Sequence, residues 1–292
     1  MQALKLAGGD WQADVHAQAG GLIGSLTHRG IDVLRCMPSG SIGPLQAASF
    51  PLVPYCNRIA RGRFEWAGQH IALPANFVPE PHSLHGLGWQ VPWEITHHAD
   101  FKCAMGHRHP GIGPGPWTGS ITSWPWAYEA EQRIRLGHRG CAISLGLTNR
   151  SNMVMPAGIG LHPYFRRRPE TRLRFASGRV CEVGGDMIPT GRTLAADTFA
   201  DFRSGALLPA ETIDHCFCEW DGIAVIEDDL GSITLTARGA PHMHVYAPAG
   251  QDILCLEPVS HLPDALNQDP AGITALPPGC SASLQMWISA EA

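Results

Sequence analysis

The sequence predicts an all-β protein in which large antiparallel sheets form a sandwich. Its 33 glycines and 24 prolines interrupt nearly every apolar segment, which favours short strands joined by turns over long helices. Apolar and polar residues alternate along residues 128–136 and 141–148, as expected for two neighbouring strands that each bury one face. Because the sequence contains no internal repeat and no long linker, we expect one domain over residues 1–292.

The first element expected along the chain is a β-hairpin. Residues 11–17 and 22–26 both alternate and lie on either side of Gly20 and Gly21, a pair that is typical of tight turns. Further strands are predicted in the second half, at residues 223–226, 232–237, 242–246, 253–256 and 281–288. Helices are expected only as short segments, at residues 193–202 and 264–267.

The composition excludes several classes of partner. With a net charge of −5 and 16% charged residues, the chain has no general basic field that would attract nucleic acid. No apolar run approaches the length that spans a membrane. The nine cysteines are an odd number without C-x-x-C spacing, so we expect free thiols in a reducing compartment and a cytoplasmic protein.

One carboxylate stands at the end of a strongly apolar strand. Residues 253–256 are Ile-Leu-Cys-Leu, which predicts a strand buried on both faces, and Glu257 follows directly. Such a carboxylate either emerges into solvent, or is paired or shifted in pKa beside a polar cleft. The loop at residues 258–267 contains two prolines and several polar side chains, and it favours the second interpretation.

Histidines offer the groups that would complement this carboxylate. His162 precedes a proline, and Tyr164 and Phe165 supply flat apolar surface on which a sugar ring can pack; the alternative is a histidine bonded within the core. His82 and His85 are spaced like metal ligands on a helix, but this segment is bounded by Gly and Pro and no third ligand has a matching spacing. The sequence therefore predicts no metal site.

Three further polar residues suit the binding of hydroxyl groups. Asn57 and Arg58 are adjacent, and an arginine fork has five donors for the oxygens of a polyol. Asp214 would accept from a hydroxyl, although a surface ion pair for Arg58 and a turn position for Asp214 are the alternatives. Together with Glu257 and His162, these residues fit proton transfer on a neutral polyhydroxylated substrate, and neither a phosphate loop nor a nucleophile elbow is present.

Five short motifs, taken in chain order, resemble those of the aldose 1-epimerase (galactose mutarotase-like) family. They are Asn57-Arg58-Ile59 with Gly62 and Phe64, Ser83-Leu84-His85-Gly86, His162-Pro163-Tyr164-Phe165, Asp214-His215-Cys216-Phe217, and Leu256-Glu257 with Pro263-Asp264-Ala265-Leu266-Asn267. Each motif is weak alone, whereas five in the family's order are specific. The tryptophan-rich segment at residues 117–126 resembles the less-characterised bacterial members.

The resemblance implies a β-supersandwich with an open sugar-binding cleft, and interconversion of the α and β anomers of a free aldose without a cofactor. It implies that Glu257 is the general base, that His162 is the general acid and that His85 assists near the ring oxygen. It also implies that Arg58 and Asp214 hold sugar hydroxyls and that Asn57 supports Arg58. The expected partner is a small-molecule sugar.

Other functions remain open at this point. A hexose-6-phosphate mutarotase would need a further cationic site, which Arg61, Arg63 or residues 166–168 would supply. A sugar-binding or sensing protein of the same fold would have lost turnover, although binding alone needs no matched acid and base. A hydrolase or lyase of this fold would need a longer substrate groove.

Overall fold

The computed structural model describes residues 3–41 and 43–291, and strands dominate these residues. The first half of the chain contains β1 (Leu4–Gly8), β2 (Trp11–His16), β3 (Leu22–His28), β4 (Ile31–Leu34), β5 (Pro51–Leu52), β6 (Arg58–Ile59), β7 (Arg63–Trp66), β8 (Gln69–Ala72), β9 (Ser83–Leu84), β10 (Glu94–Ala99), β11 (Lys102–His109), β12 (Tyr128–Gly137) and β13 (Gly140–Asn149).

The second half contains fourteen further strands and one turn of α-helix. They are β14 (Met155–Ala157), β15 (Gly160–Leu161), β16 (Tyr164–Arg166), β17 (Arg172–Phe175), β18 (Arg179–Val183), β19 (Pro189–Ala195), β20 (Ala206–Leu207), β21 (Ile213–Cys218), β22 (Ile223–Asp228), β23 (Gly231–Arg238), β24 (His242–Ala247), β25 (Ile253–Val259), α1 (Ala265–Gln268), β26 (Thr274–Leu276) and β27 (Ser281–Glu291). In the described part of the chain, no helix is long and apolar enough to cross a membrane.

Most of the strands belong to two large antiparallel sheets. The larger sheet has twelve strands, with the order β1-β2-β3-β4-β16-β25-β24-β21-β18-β19 and with β15 and β5 added beside β25. The smaller sheet has nine strands in the order β10-β11-β12-β13-β27-β23-β22-β17-β20. Apolar side chains from both sheets form one continuous core, to which Leu256 of the first and Leu145 of the second contribute. The predicted all-β sandwich is confirmed.

The alternation read from the sequence corresponds to real strand pairs. β2 and β3 pair antiparallel across the turn at Gly20 and Gly21, and β12 pairs with β13 over ten residue positions. The helix predicted at residues 193–202 is wrong, because Thr193 and Leu194 pair with β18 as part of β19. The helix predicted at residues 264–267 is confirmed as the single turn α1. One domain over residues 1–292 stays a prediction.

The larger sheet is buried on both faces at its centre, and this decides which side chains form a site. Along β25, Leu254 and Leu256 point into the core between the sheets. Cys255 and Val259 belong instead to a second apolar cluster on the opposite face, beneath a layer of loops. Because side chains alternate along a strand, Glu257 faces the loop layer together with these two residues.

Candidate active site

Four adjacent strands of the larger sheet present polar side chains toward the loop layer. In the order β16, β25, β24 and β21, these side chains are Tyr164, Glu257, His244 with Tyr246, and Asp214. Glu257 lies directly opposite His244, and Tyr246 lies opposite Asp214. Strand pairing therefore brings together residues that are separated by up to about ninety positions in the chain, and it does so on one face.

Two loop residues in unusual backbone conformations close the site from above. Asn57 and His85 both have positive φ angles, 56° and 58°, and they lie beside the short pair β6–β9. The Asn57 N–H donates to Nδ1 of His85 at 3.0 Å, and the His85 N–H donates to the Asn57 carbonyl at 2.9 Å. Gly86 follows with a φ of 67°, and a Cβ there would lie 2.1 Å from the Val53 carbonyl oxygen, so a glycine is required.

The strands and loops enclose a cavity of about 270 Å³. All six residues predicted as site residues line it, namely Asn57, Arg58, His85, His162, Asp214 and Glu257. Aromatic side chains form much of the remaining wall, and these are Phe50, Phe77, Trp89, Tyr164 and Tyr246. The structure thus joins an apolar, aromatic surface to a small set of polar groups, as in most small-molecule sites.

Glu257 and His162 form a buried pair in this cavity. The His162 Nε2 lies 3.1 Å from the Glu257 Oε1, and the other polar atoms, Glu257 Oε2 and His162 Nδ1, have no protein partner. His162 packs against the rings of both Phe50 and Tyr164, with ring centroids 4.4 and 4.7 Å away. Packing against two aromatic rings therefore holds the imidazole in place.

Burial displaces the proton affinities of both members of the pair. It raises the pKa of Glu257 to about 8, although the nearby His244 acts in the opposite direction. Burial also lowers the pKa of His162 to about 3, and His244 adds to that effect. The cause is shared, because a low-dielectric environment disfavours the charged form of either group.

His85 is fixed as a hydrogen-bond donor. Since its Nδ1 accepts from the Asn57 N–H, the proton of the neutral ring lies on Nε2. Burial lowers the pKa of His85 well below its ordinary value, and His162 adds to this shift, so the ring stays neutral. A neutral donor of this kind suits a sugar oxygen, which gains a hydrogen bond without a further buried charge.

The same geometry bears on metal binding. His85, His162 and Glu257 each offer a ligand atom, and these atoms lie within 4.8 Å of one another. A metal bound through the Nε2 of His85 would have to displace its proton while Nδ1 still accepts from a backbone N–H. The group fits a neutral donor beside an acid/base pair better than it fits three metal ligands.

Arg58 lies between two carboxylates at the mouth of the cavity. Its Nη2 is 3.3 Å from Glu80 and 3.7 Å from Asp214, and its buried Nε has no protein partner. The backbone N–H of Arg58 donates to Oδ1 of Asn57 at 2.9 Å, which orients the Asn57 side chain. Glu80 was missed by the sequence interpretation, because a glutamate in a Pro-rich loop looks like an ordinary surface residue.

His244 and Tyr246 were also missed. His244 is buried, its Nε2 lies 2.6 Å from Asp214 Oδ1, and its Nδ1 lies 3.4 Å from Nδ2 of Asn57. Burial opposes ionisation of Asp214, but the hydrogen bond from His244, together with the charges of His244 and Arg58, lowers the pKa of Asp214. Alternation along β24 fixes which face His244 points to. Only the pairing of β24 with β25 shows that this is the face of Glu257 and makes the two residues neighbours.

His82, which directly precedes the second motif, and Asp264 of the fifth motif have structural roles and do not line the cavity. His82 is buried, its Nδ1 accepts from the Arg61 N–H at 2.9 Å, and its Nε2 lies 3.1 Å from the Asp186 carbonyl. Asp264 is 1% exposed; its Oδ1 accepts from the Ala60 N–H at 2.9 Å and its own N–H donates to the Arg58 carbonyl at 2.8 Å. Both residues thus fix the turn that carries Arg58.

Two larger grooves lie elsewhere, on the solvent-facing side of the smaller sheet. Their volumes are about 780 and 600 Å³, and they are lined by exposed charged side chains such as Arg133, Arg135 and Glu131. Neither groove contains a buried acid/base pair among its lining residues. Chemistry, and not volume, therefore marks the smaller cavity as the candidate active site.

Replacement of Asp264 by Ala should destabilise the fold. The change removes the buried acceptor of the Ala60 N–H and places Ala at a φ of 52°, so we expect a loss of about 1–3 kcal/mol in the free energy of unfolding, measured by urea denaturation. Asp264→Asn keeps an acceptor and tolerates this backbone conformation, and it should lose less. Equal losses in the two variants would contradict the anchoring role.

Replacement of Glu257 by Gln should stabilise the fold in a pH-dependent way. Because the folded protein holds the Glu257 proton up to about pH 8, the wild type loses stability as the pH rises from its ordinary pKa near 4.5 to that value. Gln does not titrate, so the Tm of the variant should exceed that of the wild type at pH 8 by roughly 2 °C or more.

The gap in Tm between Glu257→Gln and the wild type should be small at pH 4.5 and constant above pH 8. The exposed Glu227 provides the matched control: the Tm of Glu227→Gln should equal that of the wild type at every pH. A gap of the same size at pH 5 and pH 8 would show that burial does not raise the proton affinity of Glu257.

Comparison with known proteins identifies the family. The model of the family described as aldose 1-epimerase matches residues 5–289. The uncharacterized protein YphB of Escherichia coli (strain K12) is 29% identical, and the match covers 100% of this chain and 99% of YphB. A structure from E. coli K12, provisionally described as an aldose 1-epimerase, superimposes with a TM-score of 0.88 at 28% identity, covering 99% of each chain.

A galactose mutarotase-like protein from Clostridium acetobutylicum shares the fold. Its TM-score is 0.84 at 18% identity, and the superposition covers 99% of this chain and 95% of the other. The resemblance read from the five motifs is thereby confirmed over nearly the whole chain. This protein is a member of the aldose 1-epimerase family.

Proposed function

We propose that this protein is a mutarotase, which interconverts the α and β anomers of a free, neutral aldose. The observation that supports it most is the pair of Glu257 and His162, which are buried 3.1 Å apart in a sugar-sized cavity. Both residues line that cavity, so their side chains can meet a ligand bound there. The descriptions of the relatives reported above name no established substrate. The proposal of a free, neutral aldose therefore rests on the residues of this site.

The proposed reaction opens and closes the sugar ring. The carboxylate of Glu257 takes the proton from the anomeric hydroxyl while protonated His162 delivers a proton to the ring oxygen, and the bond between C1 and that oxygen breaks. Rotation about C1–C2 turns the other face of the aldehyde toward the ring hydroxyl. The reverse transfers close the ring, return both protons and leave the opposite anomer.

The pair holds one transferable proton over a wide pH range. In the resting form that burial favours, this proton lies on Glu257 and His162 is neutral. Transfer across the 3.1 Å contact gives the carboxylate and imidazolium that the reaction uses, without any change in net charge. The catalytic form is therefore an isomer of the resting form, and its share does not change while the pair keeps one proton.

The other polar groups serve binding in this proposal. Arg58, Asp214 and Glu80 line the cavity mouth and offer donors and acceptors to sugar hydroxyls, and His85 donates from Nε2. Asn57 holds Arg58 and His85 through the contacts described above. A cavity of about 270 Å³ is smaller than most pockets for drug-sized ligands, and it suits a single sugar ring over an oligosaccharide.

The charge of the cavity favours a neutral sugar over a sugar phosphate. Among the described residues that line the cavity, Arg58 is the only arginine or lysine, and two carboxylates already flank it. The candidates for a phosphate site are engaged elsewhere: Arg166 pairs with Asp228, and Arg168 pairs with Asp229. Arg167 donates to the carbonyls of Pro209 and Pro248, and Arg61 and Arg63 are exposed outside the cavity.

The burial of Glu257 beside His162 favours an enzyme over a sugar sensor. Burying an ionisable carboxylate against a histidine displaces the pKa values of both groups, and a purely hydroxyl-binding site gains nothing from that arrangement.

A cytoplasmic location and one domain over residues 1–292 are further parts of this proposal, and both follow from the sequence.

Turnover is tested with freshly dissolved aldoses and aldose 6-phosphates. Polarimetry, or saturation-transfer NMR at the anomeric protons, should show faster exchange of the free aldoses by wild type. Because a positioned proton-transfer group contributes roughly 100- to 10,000-fold, Glu257→Gln and His162→Asn should each lose at least about 100-fold in kcat. The 6-phosphates should react more slowly than the free sugars.

Each outcome of this experiment has a defined meaning. Wild-type kcat in Glu257→Gln would remove Glu257 as the base, and binding without acceleration of any sugar would favour the sensor. Faster exchange of the 6-phosphates than of the free aldoses would overturn the choice of a neutral substrate. His242→Gln, on β24 but outside the cavity lining, is the matched control and should keep wild-type activity.

The pH dependence of kcat/KM should follow the proton of the pair. The singly protonated pair persists between the two displaced values, about 3 for His162 and about 8 for Glu257, so kcat/KM should be level from about pH 4 to 7. Above about pH 8 the pair loses its proton, and kcat/KM should fall as the pH rises. A rise through pH 8, after subtraction of the uncatalysed rate, would mean that Glu257 alone is required.

A further inference from the structure

We propose that His244, a residue that none of the five motifs contains, positions the catalytic groups in two ways: it fixes the Asp214 carboxylate for the sugar hydroxyls, and it stabilises the ionised form of Glu257 across a strand pair. This inference rests on the proposed mutarotase activity and adds to it the residue that keeps the base in its reactive form. The geometry of β24 supports it from both sides.

On one side, His244 holds Asp214. Its Nε2 lies 2.6 Å from the Asp214 Oδ1, and the two residues occupy diagonal positions on β24 and β21, because His244 is directly opposite Cys216. The other Asp214 oxygen is 3.7 Å from Arg58. The carboxylate is thus clamped between two donors and cannot rotate away from the cavity that it lines.

On the other side, His244 faces Glu257. The two residues are directly opposite in the antiparallel pair of β24 and β25, which places their Cβ atoms about 4.5–5.5 Å apart. Burial disfavours protonation of His244, but the hydrogen bond to Asp214 and the negative charges of Glu257 and Asp214 together raise the pKa of His244 above its ordinary value. A cation at this position favours the carboxylate form of Glu257.

The remaining charged and titratable neighbours cannot replace this effect. Those that interact electrostatically with Glu257 or His244 are Arg58, His85, His162, Tyr164, Asp214, Cys216, Tyr246, Cys255 and Cys56, together with His215, which lies on the opposite face of β21. Asp214 acts against ionisation of Glu257, and Arg58 favours it from a position already shared with Glu80. Without His244, the negative charge of Asp214 near Glu257 would be offset mainly by Arg58, which Glu80 also engages.

Two substitutions separate the two effects. In His244→Gln the amide can still donate to Asp214 from about the position of Nε2, but it carries no positive charge. In His244→Phe the ring volume is kept, while both the donor and the charge are lost. His242→Gln, two residues away on the same strand and half-buried, changes a histidine that lies outside the cavity lining.

The test is kcat, KM and the pH profile of kcat/KM for these variants on the fastest aldose. For His244→Gln we expect a level region at least about tenfold lower, with the alkaline fall displaced upward by about one pH unit and KM nearly unchanged. His244→Phe should show the same displacement together with a KM raised roughly tenfold or more, because a lost hydrogen bond to a charged group costs about that much. His242→Gln should match the wild type.

A second measurement does not depend on turnover. In protein labelled with ¹³C at the glutamate carboxyl carbons, the Glu257 resonance is assigned by its loss in Glu257→Gln, and its titration midpoint should move upward in His244→Gln. A lower rate with an unmoved alkaline limb and an unmoved midpoint would reduce His244 to a structural residue and overturn the inference. If the wild type accelerates no aldose, the proposed function fails, while the carboxyl titration still decides the role of His244.

Discussion

The burial of one carboxylate, Glu257, is the constraint on which the rest of this site depends. A charge at the centre of a sheet that is covered on both faces is unstable unless neighbouring groups compensate it. The surroundings of Glu257 therefore contain His162 at 3.1 Å and His244 directly opposite on β24. Glu257 lines the cavity, so its carboxylate can meet a ligand bound there.

The fold supplies this environment through the order of its strands. β25 lies between β16 and β24 at the centre of the larger sheet, so every second residue of β25 points into the core and the others point toward the loop layer. The same alternation in β24 and β21 adds His244 and Asp214 to that layer. The doubly covered sheet thus holds Glu257, His244 and Asp214, while His162, Arg58 and His85 come from its connections and from the loop layer.

Hydrogen bonds hold the loops above the cavity in fixed conformations. Asn57 and His85 bind each other's backbone in conformations with positive φ, and Asp264 anchors the next turn from beneath. Hydrogen bonds to buried backbone groups lock these turns, because an unsatisfied group there would cost about 1–3 kcal/mol. Asp264 thus holds the position of Arg58 and does not itself line the cavity.

The sequence by itself determined the β architecture, the buried strand that ends in Glu257, and the six residues that meet in the cavity, because alternation and short motifs are local properties of the chain. The helix that the sequence predicted at residues 193–202 is wrong, because residues 193–195 pair with β18 as the end of β19. Only the tertiary structure showed Glu80, His244 and Tyr246 in the cavity. Their place depends on which strands pair and in which register, and that is decided by long-range packing, not by neighbours in the chain.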